Sequence, residues 1–165
     1  FAEMVSRVIA DTGVDPRSVE LELTESVLIA RAELAEKMLS ALRAQGVRVA
    51  IDDFGTGHAS LTYLRQLAVD VVKLDRSFVG GVEHNSKDRA LSTAIAEMAR
   101  ALDLTLVAEG VETEAQVRFL TSIHCTEMQG FLFSRPQPPE NKVSPQNSRG
   151  AAPVGCAKYA MCPDV

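Results

Sequence analysis

Histidine and cysteine are scarce in this chain, and neither is grouped. His58, His84 and His124 show no ligand spacing. Cys125, Cys156 and Cys162 are odd in number and lack the paired spacing of a zinc site. A Cys/His metal centre and a disulfide framework are thereby excluded, and a reducing compartment, the cytoplasm, fits best. Long apolar runs are missing too: none approaches the roughly 20 residues that a membrane span needs. Positive charge is not in excess. The net charge of -5 argues against a general surface for polymeric nucleic acid, but not against a small anionic ligand held by local groups and a cation. Proline is almost confined to the end of the chain: Pro136, Pro138, Pro139, Pro145, Pro153 and Pro163 are six of the seven. No internal repeat is present. The chain opens Phe1-Ala2-Glu3-Met4, with no charged n-region and no initiator Met, so it reads as an internal piece of a longer protein.

What remains is an ordinary globular composition, 46% hydrophobic and 24% charged over 165 residues, the size of one domain or part of one. Five apolar runs read as strands: Val19–Leu23, Val47–Ile51, Val69–Leu74, Leu104–Ala108 and Met128–Phe133. Amphipathic stretches alternate with them at Ala2–Asp11, Ala32–Gln45, Ser60–Leu67, Asp88–Leu102 and Glu114–Ser122. In the second stretch, Leu34, Met38, Leu39, Ala41 and Leu42 recur as one helix face, and Gly46 follows as a stop. Thr113 with Gln116 predicts a capping box. Alternating strands and helices predict an α/β fold with a parallel sheet or barrel. Beyond Ser134 the periodicity is lost, and 141–165 reads as a disordered or non-native tail after a domain over 1–140.

The segment Ala50-Ile51-Asp52-Asp53-Phe54-Gly55-Thr56-Gly57 carries most of the chemistry. A buried strand that ends in two adjacent carboxylates is a catalytic pattern in barrels, and such a pair needs a proton or a cation between its members. Polar residues end the other runs as well: Glu22 and Glu25, then Lys73 with Asp75, then Glu109 and Glu112, then Gln129. Several are embedded in apolar sequence, which is costly unless they converge. Acids with one lysine at a barrel mouth describe a site for a hard, oxygen-seeking cation, Mg²⁺ or Mn²⁺, suited to phosphodiester chemistry. Lys73 alone also admits a snorkelling surface lysine or an aldolase-type Schiff base.

Five segments, in order, carry a resemblance: Leu21-Glu22-Leu23-Thr24-Glu25-Ser26, Asp52-Asp53-Phe54-Gly55-Thr56-Gly57, Val72-Lys73-Leu74-Asp75, Ala108-Glu109-Gly110-Val111-Glu112-Thr113 and Gln129-Gly130-Phe131-Leu132-Phe133-Ser134-Arg135-Pro136. The chain resembles the EAL family of cyclic-di-GMP phosphodiesterases. The resemblance implies a TIM-type (β/α) barrel, here partial, with about five of its eight strand–helix units. It implies hydrolysis of cyclic di-GMP to linear pGpG with one or two Mg²⁺ or Mn²⁺ ions. By the same resemblance Glu22, Asp52, Asp53 and Glu109 are metal-binding. Lys73 orients or deprotonates the attacking water, and Glu112 and Gln129 support that water and the site floor. Asp52 and Gln129 meet substrate, and Glu25 anchors the loop after Asp53, from Phe54 to Ser60, which in the family couples substrate binding, metal binding and dimerisation. A homodimer, and a parent fused to sensory or diguanylate cyclase modules, are the partners it implies.

Two departures from the family pattern stand out. The segment with the Glu-Ala-Leu signature and a following asparagine are absent, so the chain reads as lacking about three strands. The loop has Gly57-His58-Ala59-Ser60 where the family has Tyr-Ser after that glycine. An open barrel has two free edges, which predicts instability, aggregation or complementation by another polypeptide. A non-catalytic cyclic-di-GMP-binding receptor module is the alternative to an enzyme.

Overall fold

The computed structural model describes residues 1–25, 27, 32–57, 64 and 67–135. The chain begins with helix α1 (Ala2–Thr12) and a 3₁₀ turn at Pro16–Ser18. There follow β1 (Glu20–Thr24), α2 (Ala32–Arg43), β2 (Arg48–Phe54), β3 (Val71–Leu74), α3 (Arg76–Gly81), α4 (Ser86–Ala101), β4 (Thr105–Ala108), α5 (Glu114–Ser122) and β5 (Glu127–Met128). All neighbouring strands pair in parallel, in the order β1-β2-β3-β4-β5. Sequential parallel strands, with described helices between β1 and β2, β3 and β4, and β4 and β5, are the wall of a (β/α) barrel, here a part of one.

Strand side chains alternate between two faces. Leu21, Leu23, Val49, Ile51, Val72, Leu74, Leu106 and Ala108 point one way and join the main core. The helices close over that face. Ala35, Leu39 and Leu42 do so from α2, Ala96 and Ala99 from α4, and Phe119 and Leu120 from α5. The other face holds only a thin apolar layer, Ala50, Val71 and Val107. Its remaining positions are charged or polar: Glu20 and Glu22 on β1, Arg48 and Asp52 on β2, Lys73 on β3, Glu127 on β5.

Ion pairs show that the sheet curls toward this second face. Arg48 on β2 lies 3.7 Å from Glu20 on β1 and 3.9 Å from Glu127 on β5. Strands are spaced about 4.8 Å apart, so on a flat sheet β2 and β5 would be separated by about 14 Å, beyond the reach of this pair. The polar face is therefore the concave, barrel-interior one.

Most expected elements are present, with corrections. The run Met128–Phe133 is not one strand: β5 stops at Met128 and residues 131–133 form a turn. Gln129 N–H still donates to Ala108 O, and Val111 N–H donates to Gln129 O, after which the chain folds back on the loop following β4. A Cβ at Gly130 would fall 2.2 Å from Val111 backbone atoms, so only glycine passes there. In α2, Ala35 and not Ala41 completes the buried face; the Leu34 side chain lies outside what is described. Helix α3 was not anticipated; Asp75 caps it by accepting from Ser77 N–H at 3.0 Å. The capping box of α5 is formed in both directions. The stretch 60–67, apart from Leu64 and Leu67, and the tail 141–165 lie outside the described residues, as does His58.

Candidate active site

The carboxyl ends of β1 to β5 bring four of the expected residues, Glu22, Asp52, Glu109 and Gln129, together around Lys73. Its ammonium is 2% exposed and lies 2.9 Å from Glu22 Oε1, 3.1 Å from Asp52 Oδ1 and 2.6 Å from Glu109 Oε1. Each acid comes from a different strand or strand end, so the cluster exists only when the sheet is curled. Lys73 sits inside β3, opposite Val107, and not at its tip. Its side chain does not snorkel to water; it ends among the acids. Gln129 Nε2 donates to Glu109 Oε1, which links the end of β5 to the same cluster.

Burial opposes a charged lysine, but close contact with Glu109 and Glu22, and the negative charge of Glu109 and Asp52, outweigh it. The Lys73 pKa is raised above the ordinary lysine range, so the group is an ammonium at neutral pH. It neutralises acids that would otherwise repel one another.

Asp53 stands beside this cluster and is exposed. Its backbone has φ 53°, the left-handed region, where Asp is one of the few tolerated residues. The register between β2 and β3 shifts between Ile51 and Phe54, so the regular strand pairing is interrupted at these two acids. Loss of hydration, then the charges of Asp52, Asp75 and Glu109, raise the Asp53 pKa. Asp75 was named in the sequence only as a neighbour of Lys73; its charge is among those that raise the Asp53 pKa.

Glu25 is buried, 5% exposed, below the loop after β2. Its Oε2 accepts from Gly55 N–H at 3.3 Å. A Cβ on Gly57 would overlap Glu25 Oε1 at 2.7 Å, so the loop backbone lies directly on this carboxylate. Thr56 closes the turn by donating from N–H and Oγ1 to Asp53 O. Glu112 is not among the acids touching the ammonium. It is exposed, and its N–H donates to Gln116 Oε1 within the α5 cap.

The donor set is made of carboxylate oxygens, the ligand type preferred by hard divalent cations. Among the described residues, no three acids already stand in the mutual spacing of a formed metal site. Glu22, Asp52 and Glu109 meet at the ammonium instead. A second ionic group, Glu20 with Arg48 and Glu127, lies further down the same face and was not singled out from the sequence. The period-2 alternation Glu20-Leu21-Glu22-Leu23 was the signal that could have found it.

The model of the family described as EAL domain matches residues 1–136. The chain belongs to the EAL domain family. It is 44% identical over 144 residues to the bifunctional diguanylate cyclase/cyclic di-GMP phosphodiesterase MucR of Pseudomonas aeruginosa, covering 87% of this chain and 21% of MucR. It is also 44% identical over 138 residues to the cyclic di-GMP phosphodiesterase NbdA of the same organism, covering 84% of this chain and 18% of NbdA. This EAL chain thus spans about a fifth of the length of those relatives. Its fold superposes on the MucR phosphodiesterase in complex with cyclic di-GMP with TM-score 0.80 and 43% identity, over 84% of this chain and 56% of that one. The manganese and cyclic di-GMP complex of Klebsiella pneumoniae BlrP1 matches with TM-score 0.75 and 34% identity, over 81% of this chain and 34% of that one. No described helix is long and apolar enough to cross a membrane.

Proposed function

We propose that this EAL domain serves hydrolysis of cyclic di-GMP to linear pGpG, with Mg²⁺ or Mn²⁺. The observation that carries the reading is the convergence of Glu22, Asp52 and Glu109, from three strands, on one buried cationic nitrogen. The relatives named as cyclic di-GMP phosphodiesterases, and the solved complexes with that ligand, support it. Glu22, Asp52, Asp53 and Glu109 would hold one or two ions; when bound, these supply Lewis-acid stabilisation of the phosphate charge.

The reaction joins a water oxygen to phosphorus and breaks one bridging ester bond, and a water proton ends on the departing sugar oxygen. Lys73 orients the water and places a desolvated positive charge where negative charge grows, a contribution that is strong in a site of low dielectric. Gln129 fixes Glu109 through its amide, and Asp52 and Gln129 face the ligand. Glu25 holds the loop that carries Asp53, Gly55 and Gly57. Glu112, at the exposed rim, assists the water at the start of α5. Homodimerisation, and fusion to sensory or cyclase modules, belong to the same reading.

The test is incubation of the chain, and of any longer protein that carries it, with cyclic di-GMP and Mg²⁺ or Mn²⁺, reading pGpG. Turnover that Asp52→Asn abolishes is the expected result. Turnover indifferent to Asp52→Asn would overturn the site, and tight binding without turnover would make the domain a receptor.

A further inference from the structure

We infer that Arg48 is a positioning residue, an ionic clasp that draws the two edges of the sheet together and so sets the geometry around Lys73. Among the described residues β1 and β5 are those edges. Arg48 Nε is 3.7 Å from Glu20 Oε2 on the first, and Arg48 Nη2 is 3.9 Å from Glu127 Oε1 on the second. Both acids lie one side-chain alternation below a site residue on the same strand or its continuation: Glu20 below Glu22, Glu127 below Gln129. What fixes the span between Glu20 and Glu127 therefore also fixes the span between Glu22 and Gln129.

Those two residues reach Lys73 from opposite sides. Glu22 contacts the ammonium directly, and Gln129 contacts it through Glu109. Between the two ionic levels lies only the small apolar layer of Ala50, Val71 and Val107. That layer spans β2 to β4 and includes no residue of either edge strand. Apolar packing on the concave face thus leaves the edges untied; at the level below Lys73 the guanidinium bridges them directly, and at the level of Lys73 the ammonium does so through Glu22, Glu109 and Gln129. Arginine suits the task because its fork presents several donors to two carboxylates at once. A lysine at this position offers one compact charge and is expected to hold one edge only.

Lys73 acylation reports the clasp without metal or ligand. The 165-residue chain is treated with an amine-acylating reagent, and the modification of Lys73, Lys37 and Lys87 is followed by peptide mass spectrometry. In the native chain Lys73, 2% exposed, is expected to react far more slowly than the two exposed lysines. In Arg48→Met, and in the milder Glu127→Gln, Lys73 acylation is expected to rise about threefold to tenfold, as loss of one or two partly exposed ion pairs implies. Arg48→Lys should fall between. Arg43→Met, which breaks the Arg43–Asp70 ion pair away from the concave face, should lower the melting temperature and leave the ratio of Lys73 to Lys37 labelling unchanged. An unchanged ratio in Arg48→Met and Glu127→Gln, or an equal rise in Arg43→Met, overturns the clasp.

The consequence for the site rests on the functional reading above. Mn²⁺ affinity should weaken by a similar factor in Arg48→Met. If the native chain binds no Mn²⁺, that reading fails, while the labelling ratio still decides whether Arg48 positions Lys73.

Discussion

The two faces of the sheet are built from the same strands, one residue out of step, and obey opposite rules. The helix-covered face is apolar and close-packed, and Leu74, Val72 and Val49 there are fully buried. The concave face buries a lysine just as deeply, and does so by surrounding it with acids. A side chain on the first face needs only volume and shape. One on the second needs a partner of opposite charge, supplied by strands far apart in sequence. Stability therefore resides on the convex side, and the capacity for chemistry on the concave side.

The largest way to break this contrast is a truncation on the packed side. Leu74→Ala removes a fully buried side chain next to Lys73 in sequence but on the opposite face. It is expected to cost about 3 kcal/mol in urea unfolding, the middle of the range for such cavities. Next comes Lys73→Met, which keeps volume and removes the charge. Breaking one side of a buried ionic cluster costs about 3–5 kcal/mol, but Glu22, Asp52 and Glu109 keep 28%, 25% and 18% exposure and can hydrate, so about 2 kcal/mol is expected here. A Lys73→Met chain as stable as the native one would mean that the acids do not depend on the ammonium.

A smaller effect separates the faces by pH. Cys125 belongs to the packed side, 2% exposed, and burial pushes its thiol from 9.0 up to about 11. The folded chain thus keeps a proton that the unfolded chain gives up. The associated stability is complete below pH 9 and is lost as pH rises through about 11. Unfolding free energy measured between those limits should fall more steeply for the native chain than for Cys125→Ala. Equal slopes would place the thiol in contact with water.

The two faces also differed in how far they could be read from sequence. Apolar alternation in Val47–Ile51 and the helical period of Met38, Leu39 and Leu42 are local signals, and they gave the strands and helices of the packed side. Lys73 within Val72-Lys73-Leu74 was legible because a charge inside an apolar run needs a reason. Asp52 and Asp53 were legible as a pair, but not the left-handed backbone of Asp53 or the interrupted pairing beside it. Arg48 was not singled out from the sequence, because its partnership with Glu127 depends on sheet curvature, a property of the whole array. Phe131, Leu132 and Phe133 read as a strand because they are apolar; the close approach of Gly130 to Val111 ends it, and sequence alone gives no measure of that space.

The smallest effect has the opposite sign. Ser92 lies fully buried on the inward side of α4, with Ala96 and Ala99. Among the described residues its hydroxyl meets no hydrogen-bond partner. A polar group on the packed side thus has none of the partners that make one tolerable on the concave side. Replacing a buried, unsatisfied hydroxyl by hydrogen removes a desolvation cost and leaves a gap smaller than a methyl group. Ser92→Ala, which also raises helix propensity, is expected to stabilise the chain by about 1 kcal/mol. Loss of stability in that variant would show that the hydroxyl does bond, and that the convex face shares the rule governing the concave one.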